Sequence, residues 1–107
     1  SWRLKKSTMT IYNIFEDLEF SPDREIEEII FENDKIRLIR TVSLGQATGY
    51  YDQDQLEIVK IEKGRAKLEI EGEILELKEG DILPILPHQV HRILSQDKTI
   101  WLCIFVK

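Results

Sequence analysis

The sequence predicts an all-β domain, built as a two-sheet sandwich or compact barrel, with a short helical or irregular segment on its N-terminal side. Three observations carry that expectation. Apolar residues recur in short runs or with period two along most of the chain, which is the spacing of strands with a buried face. Lys63-Gly64, Glu71-Gly72 and Glu79-Gly80 punctuate those runs every eight residues, and glycine supplies the positive φ that tight hairpins need. A chain of 107 residues is long enough for one core, which about eight short strands would fill.

Taken in order, Ser1 to Thr8 is basic and polar, while Met9 opens a segment with the look of a natural start, so the first eight residues are expected to be an upstream extension or a cloning remnant. The division that follows sets residues 1–10 apart as an N-terminal extension, 11–34 as an arm with the first strand, and 35–107 as the barrel. Ile11, Ile14, Phe15 and Leu18 stand at helical spacing and predict a short amphipathic stretch, closed by Ser21-Pro22-Asp23. Every later segment reads as strand. Ile29-Ile30-Phe31 comes first, then Ile36-x-Leu38-x-Arg40-x-Val42, Leu56 to Ile61, Ala66-x-Leu68-x-Ile70 and Ile74 to Leu77. Ile82 to Leu86, Val90 to Leu94 and Ile100 to Val106 complete the set. On Arg65 to Glu71, Ala66, Leu68 and Ile70 face one way and Lys67, Glu69 and Glu71 the other, so one face is core and one is water. Pro84 and Pro87 cannot donate to a sheet ladder and should lie at a strand end or edge.

Charge narrows the classes of partner. The net charge is −5, and once Arg3, Lys5 and Lys6 are set aside, residues 11–107 hold 12 basic against 20 acidic side chains. Basic residues alternate with acidic ones along the strands rather than clustering on one face, which argues against a nucleic-acid partner. Glu16 to Asp34 holds nine acids and one base and reads as a solvated acidic flank. The longest apolar run, Ile100 to Val106, is far short of the ~20 residues of a membrane helix, so no membrane association is expected. Cys103 has no disulfide partner in the chain, which points to the reducing cytoplasm, and its apolar neighbours predict a buried, unreactive thiol. Trp101, on the same run, is expected in the core or at an interface.

Two spacings carry the chemistry: Gly45-x5-Tyr51-x-Gln53-x3-Glu57-x6-Gly64, and Gly80-Asp81 followed by Pro87, His88 and His91. Residues 51, 53 and 57 differ by even numbers, so an extended Tyr51 to Glu57 would present them on one face, with Asp52 and Asp54 on the other. His91, beginning the strand after the Pro87 turn, could reach the same interior, with His88 three residues away. Tyr51 could equally be an aromatic lining the barrel, His88 a turn residue, and Glu57 the partner of Arg40 or Arg92 in a buried ion pair.

Across residues 35 to 106 the chain resembles a small single-domain cupin, a double-stranded β-helix or jelly-roll barrel. Gly45, Glu57 and Gly64 fall on the family's first motif, and Gly80, Asp81 and His91 on its second. A narrower group of small cupins carries a first motif similar to Tyr51-Asp52-Gln53-Asp54 followed by Glu57, and a histidine at the position of His88. The departures from the wider pattern are chemical. Tyr51 and Gln53 stand where metal-binding cupins have histidines, and Leu86, His88 and Ser95 replace a proline, a glycine and an asparagine. The resemblance implies a divalent metal (Zn, Mn, Fe or Ni) held by Gln53, Glu57 and His91, with Tyr51 and His88 as candidates for proton transfer and no organic cofactor. An amide and a phenol in place of imidazoles would weaken transition-metal binding and favour harder ions. The expected function is a cytoplasmic homodimer that binds a small polar metabolite in the barrel, with isomerase or lyase chemistry if it is an enzyme. The alternatives are a metal-free ligand-binding module, with a sugar or carboxylate ligand, and a structural or regulatory dimer without catalysis.

Overall fold

The computed structural model of the protein describes residues 2–4 and 9–107. Its elements are strands: β1 (Trp2–Leu4), β2 (Thr10–Tyr12), β3 (Ile26–Glu32), β4 (Ile36–Leu44), β5 (Leu56–Lys63), β6 (Arg65–Ile70), β7 (Glu73–Lys78), β8 (Ile82–Ile85), β9 (His91–Gln96) and β10 (Lys98–Val106). β1 pairs antiparallel with β2, Trp2 opposite Tyr12. The remaining residues of the expected N-terminal extension, Ser1 and Lys5 to Thr8, lie outside the described residues.

Two antiparallel sheets make the barrel, five strands in the order β3-β4-β10-β5-β8 facing three in the order β7-β6-β9. Ile39, Val59, Trp101 and Cys103 from the larger sheet meet Ala66, Leu68, Ile70 and Leu77 from the smaller one in a single core. Ile61 and Leu68 are essentially without solvent contact, and each stabilises the fold by about 1.5–3 kcal/mol relative to an exposed position. Trp101 is in this core, and its indole N–H donates to Gln96 Oε1 at 2.9 Å.

Gly64, Gly72 and Gly80 all take the positive φ expected of turns, but only Gly72 closes a hairpin, β6 to β7; the turns at Gly64 and Gly80 carry the chain from one sheet to the other. Gly64 has φ +95°, and a Cβ built on it would lie 2.7 Å from the Lys98 carbonyl oxygen and 2.8 Å from Thr99 Oγ1. Both the turn and the close approach of β10 therefore require glycine there.

Of the two forms expected for the N-terminal segment, helical or irregular, it takes the irregular one. No helix forms over Ile11–Phe20: Thr10–Tyr12 is β2, and turns and irregular chain follow. Asn13 starts a turn, its side chain accepting from the Phe15 N–H at 2.9 Å. The carbonyls of Ile14, Glu16 and Asp17 are taken by the Arg40 guanidinium at 3.2, 2.6 and 3.3 Å, so tertiary contact displaces a stretch too short for a stable helix. The arm also covers β4. The face carrying Arg40 and Val42 is buried beneath this arm, outside the barrel, and the face carrying Arg37, Ile39 and Thr41 looks inward. With both faces covered, alternation along β4 does not tell inside from outside.

Candidate functional site

The chain between β4 and β5 is laid along β9 by backbone pairing. Thr48 N–H donates to the Ile93 carbonyl at 3.0 Å, and the Thr48 hydroxyl accepts from Ile93 N–H at 2.9 Å. Tyr51 and His91 exchange both backbone hydrogen bonds, at 2.7 and 3.1 Å, and His88 N–H donates to the Gln53 carbonyl at 2.7 Å. The expected extended run from Tyr51 to Glu57 is interrupted by a bend at Asp54 and Gln55. Tyr51, Gln53 and Glu57 nevertheless line one cavity of about 350 Å³ between the sheets, together with His91.

The cavity lining has an apolar part and a polar part. Ile39, Val59, Leu68 and Ile85, all buried, make up the apolar part, or floor, with Ile93 and Trp101. Glu57, which stands opposite Ile85 in the sheet, and His91 belong to the polar part, only 8% and 5% exposed. Gln53 Nε2 donates to Glu57 Oε1 at 3.0 Å, and His91 Nε2 lies 3.8 Å from the same oxygen, too far for a direct hydrogen bond. His91 Nδ1 is 2.7 Å from the Gln89 carbonyl, which only accepts, so Nδ1 carries the proton and, in the neutral ring, Nε2 offers its lone pair to the cavity. Burial pushes the Glu57 carboxyl above its ordinary range, against the hydrogen bond from Gln53 and the nearby His91.

Tyr51 is half-exposed at the rim, its ring centroid 5.6 Å from that of His91. Partial burial raises its phenol, and Glu25, Glu27 and Glu57 add to the effect, so the hydroxyl stays protonated and can donate. His88 does not line the cavity. It occupies the turn before β9 with φ +64°, exposed, its Nδ1 2.8 Å from Asp52 Oδ1.

The ion pair weighed for Glu57 is not formed. Arg40 lies on the outer face of β4, 3.6 Å from Glu28, and Arg92 donates through Nε to Glu69 at 2.6 Å beneath the Tyr50 ring. Cys103 points inward from β10, and burial first, then Glu57, pushes its thiol far above the ordinary range, so it has no thiolate character.

Sequence reasoning missed six polar lining residues: Glu25, Glu27, Arg37, Thr41, Thr48 and Gln55. Glu25 accepts from the Ser43 hydroxyl, and Glu27 stands opposite Thr41 on β4. Arg37 lies 4.8 Å over the Phe105 ring, with its Nε buried and without a hydrogen-bond partner. For Arg37 and Thr41 the available signal was the second period-two set on β4, Arg37-x-Ile39-x-Thr41.

Among the described residues, no three His, Cys, Asp or Glu side chains are arranged to hold a metal ion. The expected set supplies one imidazole, one carboxylate and one amide, and the amide already donates to the carboxylate. A catalytic metal centre of the familiar kind has three strong protein ligands and an open position. This donor set does not fit one.

The model of the AraC-like ligand binding domain family matches residues 36–102 of this chain. No curated protein shows significant sequence similarity to it. Among solved structures, a protein of Ralstonia eutropha JMP134 provisionally named a mannose-6-phosphate isomerase is 30% identical, with 91% of this chain and 97% of that one covered and a TM-score of 0.85. A cupin superfamily protein of Desulfitobacterium hafniense DCB-2 is 16% identical over 83% of each chain, TM-score 0.76. KdgF from a Halomonas species is 17% identical over 75% of this chain and 77% of its own, TM-score 0.69. The last two likenesses concern the fold alone.

Proposed function

This chain belongs to the AraC-like ligand binding domain family, on a cupin barrel, and from that premise we propose that it binds a small polar metabolite in the cavity between its sheets without help from a metal ion. Tyr51, Gln53, Glu57 and His91 are the residues that hold it. The observation that carries the reading is the pair Glu57 and His91. Both are buried in the polar part of the lining of a cavity large enough for a metabolite, and they stand 3.8 Å apart with no direct hydrogen bond between them. A ligand hydroxyl or amine seated there would bridge the carboxylate and the His91 lone pair, and the apolar floor would take the rest of the molecule. Elemental analysis of protein purified without a histidine tag tests the metal-free part. Less than stoichiometric transition metal, unchanged after reconstitution, is expected; stoichiometric metal that disappears in His91→Ala would replace this reading with the metal-bound one.

A second reading, proton transfer of the isomerase or lyase type, is favoured by the same pair. A carboxyl raised by burial beside an imidazole lone pair is an acid–base couple, with the Tyr51 hydroxyl as a further donor. The provisional name of the Ralstonia relative is in keeping with it. Incubation of candidate aldoses in heavy water would reveal it as deuterium incorporated next to the carbonyl, dependent on Glu57.

We also infer a cytoplasmic homodimer paired through β3. This strand is the edge of the five-stranded sheet and exposes Ile29 and Phe31. Light scattering should give twice the monomer mass, and Phe31→Glu should return it to one.

A further inference from the structure

We propose that the ligand of this cavity is a small amphipathic cation, a protonated amine carried on a compact apolar body. This deepens the ligand-binding reading above and rests on it. Three features of the cavity select that chemistry.

The first is charge. Three carboxylates, Glu25, Glu27 and Glu57, line the cavity against a single guanidinium, Arg37. The Arg37 guanidinium is stacked on the Phe105 ring. With three acids against one base, the field in the cavity attracts cations. A sugar phosphate would bring about two negative charges to a wall with one basic group, the reverse of a phosphate site.

The second is hydrogen-bonding polarity, which is independent of net charge. Carboxylate oxygens only accept, and in the neutral ring the Nε2 of His91, a side chain 6% exposed, also accepts because Nδ1 donates to Gln89. Gln53 spends one of its two amide N–H groups on Glu57 and keeps its oxygen as an acceptor as well. An acceptor-rich wall calls for a donor-rich ligand, and an ammonium brings three donors and no acceptor. The Tyr51 ring at the rim adds a π face toward an incoming cation.

The third is the floor. Ile39, Val59, Leu68 and Ile85 offer no polar side-chain atom, so the ligand must place apolar surface there or leave the floor wet. A polyol would satisfy the wall and waste the floor. An amine on a ring or branched chain uses both.

The test is calorimetric titration of tag-free protein with four probes: 2-phenylethylamine, 2-phenylethanol, phenylacetate and glucose 6-phosphate. The first three share one ring and nearly one reach and differ in charge. The amine should bind most tightly, and its affinity should fall about tenfold in Glu27→Gln, the loss of roughly 1.4 kcal/mol. Glu27 is exposed on its strand, so that variant should melt like the wild type. Phenylacetate or glucose 6-phosphate binding as tightly as the amine overturns the proposal, and so does amine binding that Glu27→Gln leaves unchanged. If an anionic probe binds and Arg37→Met abolishes it, the cation class is wrong while the ligand-binding reading survives. Absence of binding by all four probes overturns the cation proposal. If Leu68→Trp, made to fill the floor, then alters neither stability nor the response to a wider metabolite set, the ligand-binding reading falls too.

Discussion

Replacing Glu57 by glutamine should stabilise the protein at neutral pH while impairing the site. The carboxylate is 8% exposed, and it gains hydrogen bonds from Gln53 and the Cys103 thiol and a neighbouring imidazole at 3.8 Å. Those contacts do not repay its desolvation, because its carboxyl is raised, with burial as the largest cause. The sign follows directly. An acid whose folded pKa exceeds its unfolded value binds more protons when folded, so stability falls as pH rises from the unfolded to the folded pKa. Above that window the native state carries a net cost on the order of 1 kcal/mol, the scale on which a displaced titration maps onto stability.

Glutamine has the same shape and no charge, and its Oε1 can still accept from Gln53. Denaturant midpoints of wild type and Glu57→Gln, measured from pH 4 to pH 8, should therefore diverge. The two proteins should be nearly equal at the acid end, and the variant should be more stable by about 1 kcal/mol at the alkaline end. Ligand binding should be weakened at least tenfold at the same time, since removing a charge-assisted contact costs about 1.5–3 kcal/mol. Destabilisation of the variant at pH 8 would refute the reasoning. It would mean that the carboxylate is held for the fold, and the site assignment would fail at its centre.

Gly64→Ala should destabilise by at least about 2 kcal/mol, since a Cβ at φ +95° would press on Lys98 and Thr99, and a drop in urea midpoint without a change in slope would show it. Arg40→Met should cost about 3 kcal/mol and free the arm from the barrel, because the guanidinium serves three carbonyls and Glu28; hydrogen exchange should quicken at residues 14–17 and leave β10 protected. The double substitution Tyr51→His with Gln53→His should complete a set of three imidazoles and Glu57 around the cavity and create a transition-metal site. Cobalt(II) should then give the visible bands of a four-coordinate centre, and their absence would mean that positions 51 and 53 do not converge on Glu57 and His91.

Most of the barrel was legible because its signals are local. The glycine turns at 64, 72 and 80 mark where strands end, and the period-two run on Arg65 to Ile70 reports the β6–β7 hairpin closed at Gly72, whose two strands are neighbours in the chain. What escaped is non-local. The Ile11–Phe20 pattern has helical spacing, but Arg40, more than twenty residues away, takes the carbonyls a helix would use. On β4 the arm buries the outer face, so both period-two sets are covered and alternation does not say which one, Arg37 and Thr41 included, looks into the barrel. Glu25 and Glu27 belonged to an acidic stretch read as a solvated flank, and only the pairing of β3 with β4 brings them to the cavity. Glu57 and His91 were legible through spacing and family pattern together, whereas the partners of Glu57 were not: Arg40 and Arg92 were plausible by charge and excluded by the faces they occupy.

The two replaced positions of the first motif have one consequence that ties the site together. A histidine at 53 would accept a metal through a lone pair, whereas the amide of Gln53 donates to Glu57 and fixes that carboxylate's orientation from within the protein. Gln53 thereby supplies part of the stabilisation that a metal would give a buried carboxylate, but without its positive charge, and burial still holds the Glu57 carboxyl above its ordinary range. A buried carboxylate in that condition is stabilised by a proton, by a cation or by a ligand rich in donors. The other acids lining the cavity, Glu25 and Glu27, add negative charge to it, and the one guanidinium is stacked on Phe105. With an amide at 53 and a phenol at 51, the protein has a net-negative cavity, rich in acceptors beside an apolar floor, and the same residues that fit a metal ion poorly favour a ligand that brings positive charge and hydrogen-bond donors.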